Sequence, residues 1–220
     1  MAISKFNYNS FNVTPVASKA LAFNSDADGF TTASGSSMIL IKTLTASADG
    51  TLSFVDGSDD VVLDDTYPIY KFEFINIHPS ADDNKLLFNM STDSGSNYNV
   101  TKTSTSFRAR HTEDDSDTLL EYRTGDDLAQ STAFQRLSGG IGSDNDQSLS
   151  GSLTIYNPSS TVFVKHFMSN CNEYASSDYS IQYLHAGYLN TTSACDAMQF
   201  KMASGNIDAG KIKLYGIADS

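Results

Sequence analysis

The stretch from Met198 to Ile217 constrains the fold most strongly. Apolar residues alternate with polar ones at Met198–Met202 and again at Lys211–Ile217. An alternation with a period of two is typical of strands that have one dry face and one solvated face. Residues 203–210 are rich in Gly, Ser, Asn and Asp, which favour a reversing connection. The pattern therefore predicts an antiparallel pair whose apolar side needs a further surface to cover it.

The same alternation recurs along most of the chain. It predicts strands at Leu52–Phe54, Tyr70–Ile77, Lys85–Met90, Phe107–Arg110, Leu119–Tyr122, Ser152–Tyr156, Val162–Phe167 and Tyr179–Tyr188. Met38–Leu44 is apolar on both faces, which predicts a central strand. Between Phe74 and Ile75 the apolar residues change phase, and this predicts a β-bulge or a change of sheet.

Asp127–Leu137 departs from the pattern, because its apolar residues follow a helical stripe and predict one short helix. Many short strands joined by polar turns predict an all-β antiparallel sandwich, and a jelly roll is our first choice for a chain of 220 residues. Residues 1–20 read as an extended N-terminal arm, and residues 21–220 as a single β-sandwich domain. Such an arm can dock either on its own domain or on a neighbouring subunit, and the sequence leaves both alternatives open.

The net charge of -12 limits the partners of the chain. An acidic surface repels both the phosphate backbone of nucleic acids and anionic membranes, so we expect neither as a partner. No stretch approaches the roughly 18 apolar residues of a membrane-spanning helix. The first residues contain no apolar core of a secretory signal, so none is expected.

The motifs that carry catalysis are missing from the sequence. There is no Gly-x-Ser-x-Gly elbow, phosphate loop or dinucleotide fingerprint. Carboxylate pairs such as Asp59-Asp60 are predicted in loops, where they solvate turns rather than face each other across a cleft. Cys171 and Cys195 are predicted to be two separate thiols. We therefore expect no enzyme activity, no catalytic residue and no cofactor.

One short motif resembles part of a calcium loop. Asn24, Asp26 and Asp28 supply oxygen ligands at positions 1, 3 and 5, and Gly29 occupies position 6. Position 12, where a bidentate Glu is expected, is Gly35. Two interpretations stay open, an incomplete calcium site and a polar turn.

Tyrosines are the candidates for surface recognition, because they stack on sugar rings and are enriched between subunits. The candidates are Tyr156, Tyr174, Tyr179, Tyr183 and Tyr188. They serve equally well in a glycan site and in an interface between identical subunits. For a glycan site, the loops Ser143–Ser148 and Asn172–Asp178 are the expected contacts.

Five stretches of the chain resemble virion structural proteins of marine bacteriophages, a family common in cyanophages. The stretches are Lys19–Ala33, Ala46–Asp64, Asp126–Phe134, Tyr156–Thr161 and Ala203–Gly210. The resemblance covers most of the chain after residue 20 and implies a virion component. It brings no catalytic residue and no ligand with it.

From the strand pattern and this resemblance we expect a structural protein on the outer surface of a tailed-phage virion, either a capsid decoration or a tail appendage. It would dock on other virion proteins and on copies of itself, as a trimer if it follows phage appendages of this type. The alternative is a receptor-binding tail-fibre module that recognises host surface glycan.

Overall fold

The structure is a computed structural model that describes residues 21–23, 30–32 and 37–219. The predicted arm, residues 1–20, and the calcium candidates Asn24, Asp26 and Asp28 lie outside the described residues. The described strands pair antiparallel throughout, and none of the described residues forms a helix that could span a membrane. The all-β prediction is therefore confirmed for this part of the chain.

Two sheets face each other, one of eight strands and one of four. The large sheet has the order β3-β14-β5-β10-β11-β12-β7-β8, the small sheet has the order β4-β13-β6-β9, and β1 pairs only with β2. The strands are β1 (Leu21–Phe23), β2 (Phe30–Thr32), β3 (Met38–Thr45), β4 (Leu52–Val55), β5 (Ile69–Pro79), β6 (Leu86–Ser91), β7 (Lys102–Thr112), β8 (Thr118–Tyr122), β9 (Gln135–Arg136), β10 (Leu149–Tyr156), β11 (Lys165–Ala175), β12 (Tyr179–Leu189), β13 (Ala197–Met202) and β14 (Ile207–Ile217).

The two strands of the C-terminal stretch do not pair with each other, so that prediction is wrong. β13 lies between β4 and β6 in the small sheet, and β14 lies between β3 and β5 in the large sheet. The connection 203–206 therefore crosses from one sheet to the other. Each strand turns its apolar face into the space between the sheets, which is how the two faces cover each other.

The core between the sheets is built on aromatic rings. The ring of Phe200, on β13, lies 5.2 Å from that of Phe72 and 5.3 Å from that of Phe74, both on β5. Phe54, on β4, lies 5.3 Å from Phe72. All these pairs meet edge to face, the arrangement that ring quadrupoles favour. Because Phe54 and Phe200 belong to the small sheet, their contacts join the two layers.

The segment Asp127–Leu137, for which the sequence predicts a helix, runs along the edge of β7 and then joins the small sheet. Ser131 exchanges main-chain hydrogen bonds with Lys102 of β7 at 2.9 and 3.0 Å, and Leu128 accepts one from Ser104 at 2.9 Å. Residues 135–136 form β9. The main-chain groups of this segment bond to neighbouring strands and not to its own next turn, so the helix prediction is wrong. After β9, Gly139 and Gly140 lie over the inner face of β11, where their N–H groups donate to Glu173. We call residues 135–141 the covering segment.

The predicted bulge is present in β5. The register against β10 shifts opposite Phe74–Ile77, and Asn76 adopts a positive φ of 50°. Gly210 of β14 passes this bulge with φ of 112°, and a Cβ there would lie 2.4 Å from the carbonyl oxygen of Asn76. The prediction for β3 is wrong: it is an edge strand with an exposed first half, and not a central one.

Candidate functional site

The outer face of the large sheet, the face turned away from the small sheet, carries three of the five candidate tyrosines. Tyr174 and Tyr188 lie at even positions of β11 and β12, whose odd positions point into the core. Tyr156, at the end of β10, is 36 % exposed. These three tyrosines are available to a partner, whether glycan or protein.

The other two tyrosines lie on the inner face. Tyr183 is 1 % exposed, so the expectation that it lies at the surface is wrong. Tyr179 is half-buried beneath Arg110, whose guanidinium lies 5.1 Å from the ring centroid. Both tyrosines face inward because they occupy odd-numbered positions of β12, on the same side of the strand as the buried Ile181.

A polar groove runs across the outer face near the turn between β11 and β12. It has a volume of about 410 Å³. Its lining comprises His111, Thr112, Glu113, Asn172, Glu173, Tyr174 and Ser180. An adjoining depression extends it past Gln182 and Ala109. We call this surface the amide groove.

The strand register brings the groove residues together. Tyr174 of β11 stands opposite Ser180 of β12, and Ser180 stands opposite His111 of β7. One row further along, Asn172 stands opposite Gln182. Side chains directly opposite on one face of antiparallel strands lie about 5 Å apart. The result is a ladder of hydroxyl, imidazole and amide groups.

Hydrogen bonds between neighbours orient the amides. Asn172 donates from Nδ2 to Ser180 Oγ at 3.1 Å, and Gln182 donates from Nε2 to Asn170 Oδ1 at 2.9 Å. The remaining amide donors and acceptors lie on an exposed face, where a hydroxyl-rich ligand can reach them.

Tyr174 borders the groove between carboxylates. Its hydroxyl donates to Asp178 Oδ1 at 3.4 Å, and a hydrogen bond to Glu113, together with the nearby negative charges, raises its pKa to about 12. The phenol therefore stays protonated at neutral pH, and its one proton lies between the carboxylates of Glu113 and Asp178 at the rim. A ring, amides and carboxylates together suit a neutral polyhydroxylated ligand better than an anionic one.

The two segments expected to grip a glycan lie side by side, but the prediction of a loop at Asn172–Asp178 is wrong for its first four residues, which belong to β11. Tyr174 N donates to Ser148 O at 3.0 Å, and Gly142 N donates to Tyr174 O at 3.2 Å. The loop Ser143–Ser148 is therefore anchored along the strand that carries Tyr174. A second depression lies on the other side of this loop, lined by Asn76 and His78.

Beneath the groove, the inner face holds a buried polar layer. Glu173 is 1 % exposed, and its carboxylate accepts hydrogen bonds from Gly140 N at 2.9 Å and from Gly139 N at 3.0 Å. Burial raises the pKa of Glu173 to about 7. Arg108 donates to Tyr183 Oη at 3.0 Å beside it. This layer fastens the covering segment to β11 and β12.

His185 and Ser169 bring an imidazole close to a serine hydroxyl on this inner face. His185 Nδ1 lies 3.3 Å from Ser169 Oγ, and burial lowers the pKa of His185 to about 4. Both side chains are buried, at 3 % and 4 % exposure, so a substrate has no access to this pair. The pair packs against the inner face of the sheet.

The edge of the large sheet at β8 is apolar on the outer face. Phe107 is 42 % exposed, Tyr122 51 % and Leu120 73 %. Phe107 and Tyr122 stand opposite each other, and Leu120 stands opposite Ala109. We call Phe107, Leu120 and Tyr122 the β8 patch. Sequence reasoning missed it, although the alternation in Phe107–Arg110 would have placed Phe107 outward once its buried neighbours were known.

Both cysteines are free and buried, which confirms the prediction of separate thiols. Among residues 37–219 and the two short flanking strands, no group of three His, Cys, Asp or Glu side chains is placed to hold a metal ion.

No family model, no curated protein and no solved structure matches the chain.

Proposed function

We propose that the chain is a non-enzymatic structural protein on the outer surface of a tailed-phage virion, a capsid decoration or a tail appendage that works by protein–protein docking. The observation that carries this proposal is the broad, exposed outer face of the large sheet. Eight strands at their usual spacing make a face about 34 Å wide. At its β8 end this face exposes three large apolar side chains, the usual mark of a docking surface.

The strand order supports a jelly roll as the finer description of the fold. The strands β3-β14-β5-β10 form one half of the large sheet, and β4-β13-β6-β9 form the small sheet. Along the chain, β3 to β6 alternate between the two sheets, as do the steps from β9 to β10 and from β13 to β14. Two four-stranded sheets with such crossings are typical of jelly rolls, which recur in viral capsid and lectin domains.

The strands β7, β8, β11 and β12 are additions to that framework. They enter as two hairpin-like insertions, after β6 and after β10, and they double the width of one sheet. Insertions on a framework are where function is usually added. Both the amide groove and the β8 patch lie on these four strands.

The resemblance of five stretches to marine phage virion proteins supports the virion location. The net charge of -12 suits an exterior position away from packaged nucleic acid. The polar groups that resemble catalytic sets, His185 with Ser169 above all, are buried without access. These observations favour docking over catalysis.

Quantitative mass spectrometry of purified particles tests this proposal. A decoration protein is expected in a copy number similar to that of the capsid shell protein, and a tail appendage in a few copies. The absence of the chain from purified particles would overturn the virion location, since either position requires it to be present.

A second candidate function is host-receptor recognition, and the amide groove is the observation that favours it. Its ladder of amides and hydroxyls beside Tyr174 offers the ring face and hydrogen-bonding groups that bind sugars. The groove would read neutral host-surface glycan through the loops Ser143–Ser148 and Asn172–Asp178.

A glycan array with matched tyrosine variants tests this candidate. Tyr174→Ala removes the ring at the groove, whereas Tyr156→Ala removes a similarly placed ring on β10. Binding that is saturable, lost in the first variant and kept in the second supports the receptor role. Equal binding by both variants would exclude the amide groove as the site. Tyr179→Ala is a poorer probe, since this half-buried ring packs under Arg110.

A further inference from the structure

We infer that the open edge of β8 pairs with the β8 edge of a second copy of the chain, about a twofold axis perpendicular to the sheet. This inference rests on the proposed docking function and names the surface through which copies meet. Within the described residues, β8 ends the large sheet, and no strand pairs with its far side.

The main-chain groups on that side are directed away from the protein. Asp117 O accepts from Thr112 N, and Arg123 N donates to Ser106 O, so the odd residues around β8 turn their main-chain groups toward β7. In an antiparallel ladder the residues alternate in direction. Thr118, Leu120 and Tyr122 therefore present their N–H and C=O groups to the outside.

The sequence of this edge complements itself in an antiparallel register centred on Leu120. With Leu120 on the twofold axis, it pairs with Leu120 of the second copy, and Thr118 pairs with Tyr122 of the second copy. All these residues have outward main-chain groups, so the register forms complete hydrogen-bonded pairs. A shift by one residue would oppose outward groups to inward ones and is excluded.

The same register is complementary in charge. It places Asp117 opposite Arg123 of the second copy, and the twofold axis repeats this contact. Within its own chain, Asp117 meets Arg110 at 2.8 Å and Arg123 meets Asp126 at 3.2 Å. The contacts between the copies join these ion pairs into networks in which acidic and basic side chains alternate. This local match offsets part of the repulsion expected between two chains of net charge -12.

The edge lacks three of the features by which proteins prevent such pairing, since β8 reads Thr-Leu-Leu-Glu-Tyr without Lys, Pro or a bulge. It does have two others, a length of five residues and the charged Glu121 on its inner face, but Arg108 of the same chain pairs with Glu121 at 2.7 Å. Pairing would bring the β8 patches of two copies together on one continuous outer face. The most exposed member, Leu120 at 73 %, would sit at the centre of the contact.

Sedimentation of the full chain over a concentration series tests the pairing. We expect a dimer of the 23.8 kDa chain that dissociates on dilution. Leu120→Pro removes the outward N–H group at the axis, which no residue of its own chain uses, and Pro is tolerated at such edge positions. The variant should be a monomer with the circular dichroism spectrum of the wild type.

A cysteine at the axis gives a second measurement that does not depend on the proline variant. The Cα atoms of a hydrogen-bonded antiparallel pair lie about 5.5 Å apart, within reach of a disulfide. Leu120→Cys should therefore form a covalent dimer under mild oxidation. Leu40→Cys, at the other edge of the sheet and 51 % exposed, is the matched control and should form far less.

A wild-type chain that stays monomeric, or that forms a trimer, would overturn the inference. Equal crosslinking at positions 120 and 40 would do the same, as would a Leu120→Pro variant that folds and still dimerises. If the pairing fails while the chain is present on purified particles, the docking function stands and β8 is not its surface.

Discussion

Replacing Glu173 by Gln tests the account of the buried layer beneath the amide groove. Glu173 is 1 % exposed, and two main-chain N–H groups, of Gly139 and Gly140, hold its carboxylate. Arg108 favours the charged form from nearby, whereas Asp126 disfavours it. Burial outweighs these contacts and raises the pKa of Glu173 from 4.5 to about 7.

The direction of the pH effect follows from that pKa. The folded protein binds the Glu173 proton more tightly than the unfolded chain does, so its contribution to stability is complete below the unfolded pKa of 4.5. It is lost as the pH rises to about 7. At about 1.4 kcal/mol for each tenfold change in proton affinity, the difference amounts to about 3 kcal/mol. Glu173→Gln has no proton to lose and should not show this decline.

Urea denaturation between about pH 5 and about pH 8 measures the effect. The unfolding free energy of the wild type should fall relative to that of Glu173→Gln by about 2 to 3 kcal/mol over this range. The amide loses one acceptor for the glycine N–H groups, but that offset does not vary with pH. Glu113→Gln, the same change at an exposed position, is the matched control. If the unfolding free energies of the wild type and of Glu173→Gln run parallel over this pH range, the carboxyl is not held as described.

Other positions give further tests of the fold. Gly210→Ala should lower the unfolding free energy by about 2 to 4 kcal/mol, because Gly210 has a positive φ and lies against the backbone of β5. Gly125→Ala is the control and should change the unfolding free energy little, because the space around Gly125 is open. Calorimetry measures both. Phe200→Ala should cost about 3 to 5 kcal/mol in urea denaturation, since it empties the centre of the aromatic core. Burial raises the pKa of Cys171 to about 12 and that of Cys195 to about 11, so a thiol reagent should react with both only after unfolding; rapid reaction of the native protein would contradict their burial.

The strands were predictable because apolar and polar residues alternate along them as buried and exposed positions do. Leu86–Ser91 and Ala197–Met202 are strands with buried apolar positions, and the phase change after Phe74 marks a real bulge. Alternation does not say which sheet a strand joins. The C-terminal strands therefore looked like a pair, although each is bonded to strands more than a hundred residues earlier in the chain.

The prediction was wrong where a run of apolar residues is exposed and not buried. Val162 and Phe163 are 68 % and 71 % exposed in the connection before β11, and Leu40 is 51 % exposed on an edge strand. A central strand and an interaction surface have the same composition in a single sequence. Only the neighbours across the sheet distinguish them.

The amide groove was predictable only in part. Tyr174 was expected because a tyrosine ring can stack on a sugar, although it lies on β11 and not in a loop. His111 and Ser180 join them through the pairing of β7 with β12, a contact between strands about seventy residues apart. The register that makes this contact depends on the whole sheet and leaves no local signal.

A map of the intact particle, with this chain placed in it, tests the central claim most directly. The account predicts that the chain lies on the exterior, with the outer face of its large sheet or the edge at β8 buried against a neighbouring subunit. A particle surface on which the chain is missing, or one on which that face and edge contact nothing, would contradict it.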